Sequence, residues 1–126
     1  MIIGLHHVAI LASDREKALR FYTQGLCFEL KQNHVRADRK DEILFLSGYG
    51  ITLEIFVCDD HPARPSYPEA YGLRHLALHV CEIGAFRDRL LKLGYAPEEI
   101  RTDSFDGAYM TFVKDPDGLP IELHES

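Results

Sequence analysis

"DPDGLPIELHES", residues 115–126, carries the reading that decides the fold. Asp115, Pro116, Asp117 and Gly118 are turn formers, so the segment reads as a turn running into a strand. Within that strand Glu122 sits between Ile121 and Leu123. An earlier stretch, "GYGITLEIF" at residues 48–56, has the same arrangement, with Gly50 followed by Leu53, Glu54 and Ile55. A carboxylate set between apolar residues in two places asks for a common cause.

That cause is an internal repeat. "HHVAILASD" at residues 6–14 matches "RHLALHVCE" at residues 74–82. His7 aligns with His75, Gly50 with Gly118 and Glu54 with Glu122, each pair 68 residues apart (75 − 7, 118 − 50, 122 − 54). One constant separation across three anchors is more than chance alignment of two glutamates.

Working outward, each half reads in the same order. Residues 3–12 alternate as a strand, and "SDREKALRFYTQG" follows as a helix. Ser13 and Glu16 fit a capping box, and Gly25 fits a helix stop. Strands are expected near 27–36, 42–48 and 51–58. The second half predicts a strand near 73–81 and a helix near 82–93, with Ile83, Phe86, Leu90 and Leu93 on one face. Its strands are expected near 99–105, 108–114 and 119–124. Each half is therefore strand–helix–three strands, an α+β class, and one such unit alone cannot bury both faces of its sheet. The segment "DDHPARPSYPEAYG" carries Pro62, Pro65 and Pro68 and reads as the connector. The chain reads as a single domain, 1–126, with module one about 1–58, the connector about 59–72 and module two about 73–126.

Composition narrows the function. The chain has 126 residues, 46% of them apolar, as expected of a small globular domain. A formal net charge of -6 disfavours nucleic acid as a partner. No apolar run approaches the roughly 20 residues of a membrane span, and no signal peptide is expected. Cys27, Cys58 and Cys81 form no CxxC pair. Their odd number suits reduced thiols and a cytoplasmic location, and they are expected to pack as small buried apolar residues.

Strand alternation then says where the repeated residues point. In the first strand His6, Val8 and Ile10 share one face, and His7, Ala9 and Leu11 the other. In its repeat Leu76, Leu78 and Val80 oppose His75, Ala77 and His79. The more apolar faces should meet the helices. His7, Glu54, His75 and Glu122 then all project from the other face. Singly, each is an ordinary polar residue on a wet sheet. Together they are two imidazoles and two carboxylates related by one repeat, and these are the usual ligands of a first-row divalent ion.

At this point the residues resemble a known family, the vicinal oxygen chelate superfamily, over essentially the whole chain. It includes glyoxalase I, fosfomycin- and bleomycin-resistance proteins and extradiol dioxygenases. His7 in "HHVAI", Glu54 in "TLEIF", His75 in "LRHLAL" and Glu122 in "DPDGLPIEL" match the family's metal positions. "RPSYPEAYGLRHLAL" looks like the small YaeR-like glyoxalase-related branch. The resemblance implies tandem βαβββ modules whose strands curl into a mixed-sheet cup around one divalent metal ion (Ni, Zn, Mn, Co or Fe), a small-molecule substrate, and a homodimer.

A His/Glu/His/Glu set is the glyoxalase I pattern. Extradiol dioxygenases use two His and one Glu for ferrous iron, and bleomycin-resistance proteins bind their ligand without metal. The resemblance therefore implies a lyase or isomerase in which the metal stabilises an enediolate during proton transfer. Glu122 is the expected catalytic base and Glu54 its alternate. A ferrous-iron dioxygenase and a non-catalytic binding protein are the alternatives. Two departures put glutathione in doubt: Leu11 stands where an Arg is common, and Cys58 where an Asn is common. His79 and His124 are candidates to line the cup as supporting or proton-carrying groups. Arg64 and Arg74 are candidates for anion recognition.

Overall fold

The structure, a computed structural model, describes residues 1–125. The chain divides into two compact units, Met1–Ala63 and Arg64–Ser126. The division falls inside the proline-bearing segment 59–72.

In the first unit β1 (Val8–Ala12) leads into α1 (Arg15–Leu19), which runs on as a π-helical segment, Arg20–Gly25. The strands β2 (Glu29–Arg36), β3 (Asp41–Gly48) and β4 (Ile51–Val57) follow. The sheet order is β1–β4–β3–β2, with β1 parallel to β4 and the other pairs antiparallel. The second unit repeats the plan with β5 (Leu76–Val80), α2 (Ile83–Lys92), β6 (Arg101–Thr102), β7 (Tyr109–Lys114) and β8 (Pro120–Glu125). Its order is β5–β8–β7–β6, again with only the β5–β8 pair parallel. The α+β class and the order strand–helix–three strands are thus found in both units. No helix among the described residues is long and apolar enough to cross a membrane.

The repeat extends to register. Ala9 lies opposite Glu54, and Ala77 lies opposite Glu122. Alternation drives the burial: Leu53, Ile55, Ile121 and Leu123 are buried, while Glu54 and Glu122 between them are half-buried. Ala18, Phe21 and Tyr22 add the helical part of the first unit's buried apolar set, with Leu26 just after it, and Ile83 and Leu90 that of the second. Each buried Leu or Ile side chain stabilises its unit by about 1.5–3 kcal/mol relative to exposure.

The two glutamate strands are entered by different turns. Tyr49 and Gly50, at φ 57 and 78, form a two-residue hairpin between paired Gly48 and Ile51. Positive φ at both positions matches the twist of the flanking strands, and glycine accepts it without steric cost. The second entry is longer, running from Lys114 to its partner Pro120. The buried carboxylate of Asp115 organises it, Oδ1 accepting from the backbone N–H of Asp117 at 2.9 Å and of Leu119 at 2.8 Å. Gly118 supplies the left-handed residue, φ 90.

Several local expectations are corrected. The N-cap of α1 is Asp14, not Ser13, and its Oδ1 accepts from the Lys17 N–H at 2.9 Å. Asp14 is the last extended residue, at φ -138 and ψ 120, so its side chain is the one that can reach back over the first turn. At α2 the residue before the helix, Glu82, is left-handed and gives no side-chain cap. The orphan Ile83 N–H instead donates to Glu125 Oε2 at 2.6 Å, a carboxylate 42 residues away on β8. The strand expected at 99–105 pairs only at Arg101–Thr102. Asp103 turns the chain there, accepting from the Phe105 N–H through Oδ1 and from the Gly107 N–H through its backbone carbonyl. Cys27 and Cys81 are exposed rather than buried, and Cys58 is half-buried. Cys27 is left-handed (φ 65) between the helix and β2, and Cys81 follows β5 into the α2 turn. Neither occupies an inward-facing position.

Candidate metal-ligating centre

Two His–Glu pairs stand on the sheets, one in each unit. In the first, His7 Nδ1 lies 3.1 Å from Glu54 Oε2. In the second, His75 Nε2 lies 3.4 Å from Glu122 Oε1. The pairing follows from topology. The first strand of each unit runs parallel to its glutamate strand, so the His just before β1 or β5 comes beside the Glu near the middle of β4 or β8. Neighbouring strands are about 4.8 Å apart, which leaves the two side chains within ligand distance of each other. The glutamates are similarly enclosed, with side chains 17% and 14% exposed, so burial does not distinguish one as the base.

The surroundings of the pairs differ. Beside His7 the neighbouring His6 brings its Nδ1 to 2.8 Å from His7 Nδ1. Alternation had placed His6 on the opposite, helix-facing side. β1 begins only at Val8, so the period-two rule does not govern residues 6 and 7. His6, His7 and Glu54 offer three ligand atoms within 4.8 Å of one another. Two imidazole nitrogens and a carboxylate oxygen so close together must share a proton or a cation, since lone pairs alone repel. That is a donor set a divalent ion fits.

In the second unit the His75 ring meets the Phe112 ring edge-on, with centroids 5.1 Å apart. Phe112 lies across from Glu122 in the β7–β8 register. Phe112 thus forms an apolar border on one side of the imidazole. A second group, Asp103, Glu122 and His124, also offers three ligand atoms within 4.8 Å. His124 Nε2 lies 3.0 Å from Asp106 Oδ2 and 3.8 Å from Asp103 Oδ2. His79 is exposed, and its ring stands edge-on to that of His124 with centroids 6.1 Å apart. Asp103 falls inside the strand expected at 99–105, and Asp106 in the gap before the strand expected at 108–114, so the sequence reading assigns neither a role. The doubled acid of "TDSFDG" is the signal that marks a turn there.

Leu11 is exposed and Cys58 half-buried. Arg64 Nη2 donates to the backbone carbonyl of Arg74 at 2.9 Å and, at 3.5 Å, to that of Leu73. Arg74 forms a bidentate pair with Glu69, at 2.7 and 3.1 Å. That pair holds the Glu69 carboxyl below its usual range, the Arg74 hydrogen bond being the largest cause, and raises Arg74 above its own.

Comparison with known proteins adds context to this geometry. The family model of the Glyoxalase/Bleomycin resistance protein/Dioxygenase superfamily matches residues 4–123. The chain is 41% identical over 126 residues to the uncharacterized protein YwkD of Bacillus subtilis, covering 99% of this chain and 98% of that one. It is 41% identical to the uncharacterized protein YaeR of Escherichia coli, covering 96% and 95%. A probable lactoylglutathione lyase of Vibrio cholerae is 30% identical, covering 93% and 86%. Among solved structures, the glyoxalase family protein from Enterococcus faecalis superimposes with a TM-score of 0.92 at 48% identity, covering 97% of each chain.

Proposed function

The chain belongs to the Glyoxalase/Bleomycin resistance protein/Dioxygenase superfamily, and from that premise we propose that it is a divalent-metal-dependent lyase or isomerase of glyoxalase I type. The observation that carries this reading is the repeated His–Glu pair, at 3.1 Å in one unit and 3.4 Å in the other, each formed by the residue before the first strand and a glutamate on the last strand of its unit. In this reading His7, Glu54, His75 and Glu122 are the metal ligands. Nickel, zinc, manganese, cobalt and iron all accept such donors. When bound, the ion supplies Lewis-acid stabilisation of negative charge on substrate oxygens.

The chain's own residues do the rest. His75 packs edge-on against Phe112. Glu122 takes a proton from the substrate carbon through a carboxylate oxygen and returns it to the adjacent carbon. Glu54, its counterpart in the repeat, is the alternate base. The relation to a probable lactoylglutathione lyase supports this reaction class, and Leu11 and Cys58 argue against a built glutathione site.

A paired chain is part of the same proposal. Ile2 and Ile3 are 96% and 100% exposed, and the edge strand β2 is exposed along most of its length. Open apolar surface and open edges are what a second copy covers. A sedimentation mass of one chain at micromolar concentration would remove the dimer.

The deciding experiment is metal analysis of purified protein. About one divalent ion per four-ligand set is expected, with a sharp loss in His75→Ala and His7→Ala. Equal metal retention by wild type and both variants after mild chelation would sink the reading. Solvent deuterium uptake into hemithioacetals of methylglyoxal, made with glutathione or with a simpler thiol, then reports the proton step.

A further inference from the structure

The second unit contains a cavity of about 350 Å³ that the metal reading does not use. Its walls include Arg64, Tyr67, Glu69, Arg74, Lys114 and Pro120. Three cationic side chains face one carboxylate there, in a chain whose formal net charge is -6. We propose that this cavity is an anion-binding subsite that receives the carboxylate or phosphoryl group of the substrate.

Arg64 is the built element. It is half-buried in an otherwise largely exposed connector, and one of its terminal nitrogens is committed to the carbonyls of Leu73 and Arg74. Those bonds fix the guanidinium plane, and its other N–H groups have no partner among the described residues. An immobilised fork with free donors suits the planar, multidentate oxygens of a carboxylate or phosphoryl group. Lys114 adds a point charge, also without a hydrogen-bond or ion-pair partner among the described residues. It ends β7 opposite Pro120, so it lies on the sheet face that carries Glu122 two residues further along β8. Arg74 is already neutralised by Glu69, which leaves Arg64 and Lys114 as the unmatched charges.

The cavity also adjoins the proposed ligand pair of the second unit. Arg74 on its wall immediately precedes His75 in the chain, and Pro120 leads into the strand of Glu122. A substrate held by its acid group in the cavity would have its neighbouring oxygens beside His75 and Glu122. This placement rests on the reading of those two residues as ligands. It narrows the substrate class to small oxygenated acids or phosphate esters. A volume of this size lies at the small end of ligand sites.

The test is a titration of the full chain with inorganic phosphate and, separately, with acetate. Ionic strength is held constant, and nitrogen-15 amide and arginine Nε resonances are followed. Chelated and metal-loaded protein are run in parallel, so that pocket binding is read without metal and separately from the metal-content test of the ligand set. Saturable shifts confined to residues 64–74, Lys114 and Arg64 Nε are expected. Lys114→Met should weaken binding about tenfold, the loss of one charge-assisted contact. Arg64→Met should do the same or more. Lys114 supports no other group, so its variant keeps the test valid where Arg64→Met disturbs the connector. Stronger binding of phosphate than of acetate assigns a phosphoryl group, and the reverse order a carboxylate. Shifts spread over the surface, no saturation with either anion, or binding unchanged in Lys114→Met would overturn the proposal.

Discussion

The two units carry one plan and two environments. In the first, the His–Glu pair is joined by a second imidazole, His6, and sits above a two-residue hairpin. In the second, the pair is bordered by the ring of Phe112, by the Asp103–Asp106–His124 cluster and by the Arg64–Lys114 cavity, and is entered through the Asp115 loop. The repeated module keeps the His- and Glu-bearing strands in register while the flanking loops differ. Register is kept because shifting a strand by one residue would turn its buried Leu and Ile outward. Loops carry no such penalty, so chemistry can be added there. The proposed base, Glu122, lies in the unit with the added polar groups, and its alternate, Glu54, in the plainer one.

The largest expected effect breaks or sharpens that division. Glu122→Gln keeps an oxygen donor but removes the basicity, so near-normal metal content with catalysis reduced by roughly 10²–10⁴ is expected. Glu54→Gln should cost much less. If Glu54→Gln is the variant that stops solvent deuterium exchange, the first unit holds the base. If neither does, the glutamates only hold metal.

Core truncation comes next. Leu53→Ala and Ile121→Ala remove fully buried, repeat-equivalent side chains, 68 residues apart (121 − 53), and each should destabilise by about 2–5 kcal/mol in urea unfolding. Equal costs would mean that the duplicated cores still pack alike. A large difference would show that the divergence reaches below the loops.

The turns differ by less. Asp115→Ala leaves the Asp117 and Leu119 N–H groups without their acceptor and should cost about 1–3 kcal/mol. In the first unit Asp14→Ala removes an exposed cap and should cost about 1 kcal/mol. Thermal melts of both variants test the order.

The smallest effect is a pH dependence. Arg36 holds the Asp41 carboxyl below its ordinary value of 3.8, first by hydrogen bonding, and Arg74 does the same to Glu69, whose ordinary value is 4.5. Both folded values are depressed, so the stabilisation is fully present above those ordinary values and is lost as pH falls through the folded ones. Wild type should therefore lose stability as acid is added below about pH 4.5, and Asp41→Asn should flatten part of that slope. Chemical denaturation between pH 6 and pH 3 measures it, and an unchanged slope in Asp41→Asn would remove this pair from the account.

Much of this was legible in sequence where a periodic or repeated signal existed. The shift linking Glu54 to Glu122 predicted two like modules, and alternation set Leu53 and Ile55 against Glu54. Features built by residues distant in sequence were not legible. Glu125 capping α2 spans 42 residues and has no local signature. His6 joined His7 because the strand begins after both. Asp103 and Asp106 became a turn because their side chains accept from the nearby N–H groups of Phe105 and Ala108.

What the sequence by itself determined is the architecture: two α+β modules in which His7 and Glu54 of the first half recur as His75 and Glu122 of the second. Hydrophobic alternation and a fixed repeat are properties of the chain, and they leave few sheets in which Leu53, Ile55, Ile121 and Leu123 are all buried. What only the tertiary structure decided is the company each pair keeps: the Phe112 edge, the aspartates around His124, and the cavity lined by Arg64 of the connector and Lys114 of β7. Those neighbours meet through strand pairing and through side chains hydrogen-bonded to backbone carbonyls and amides. Such contacts depend on where the backbone has been placed, and residue type and spacing do not encode that placement.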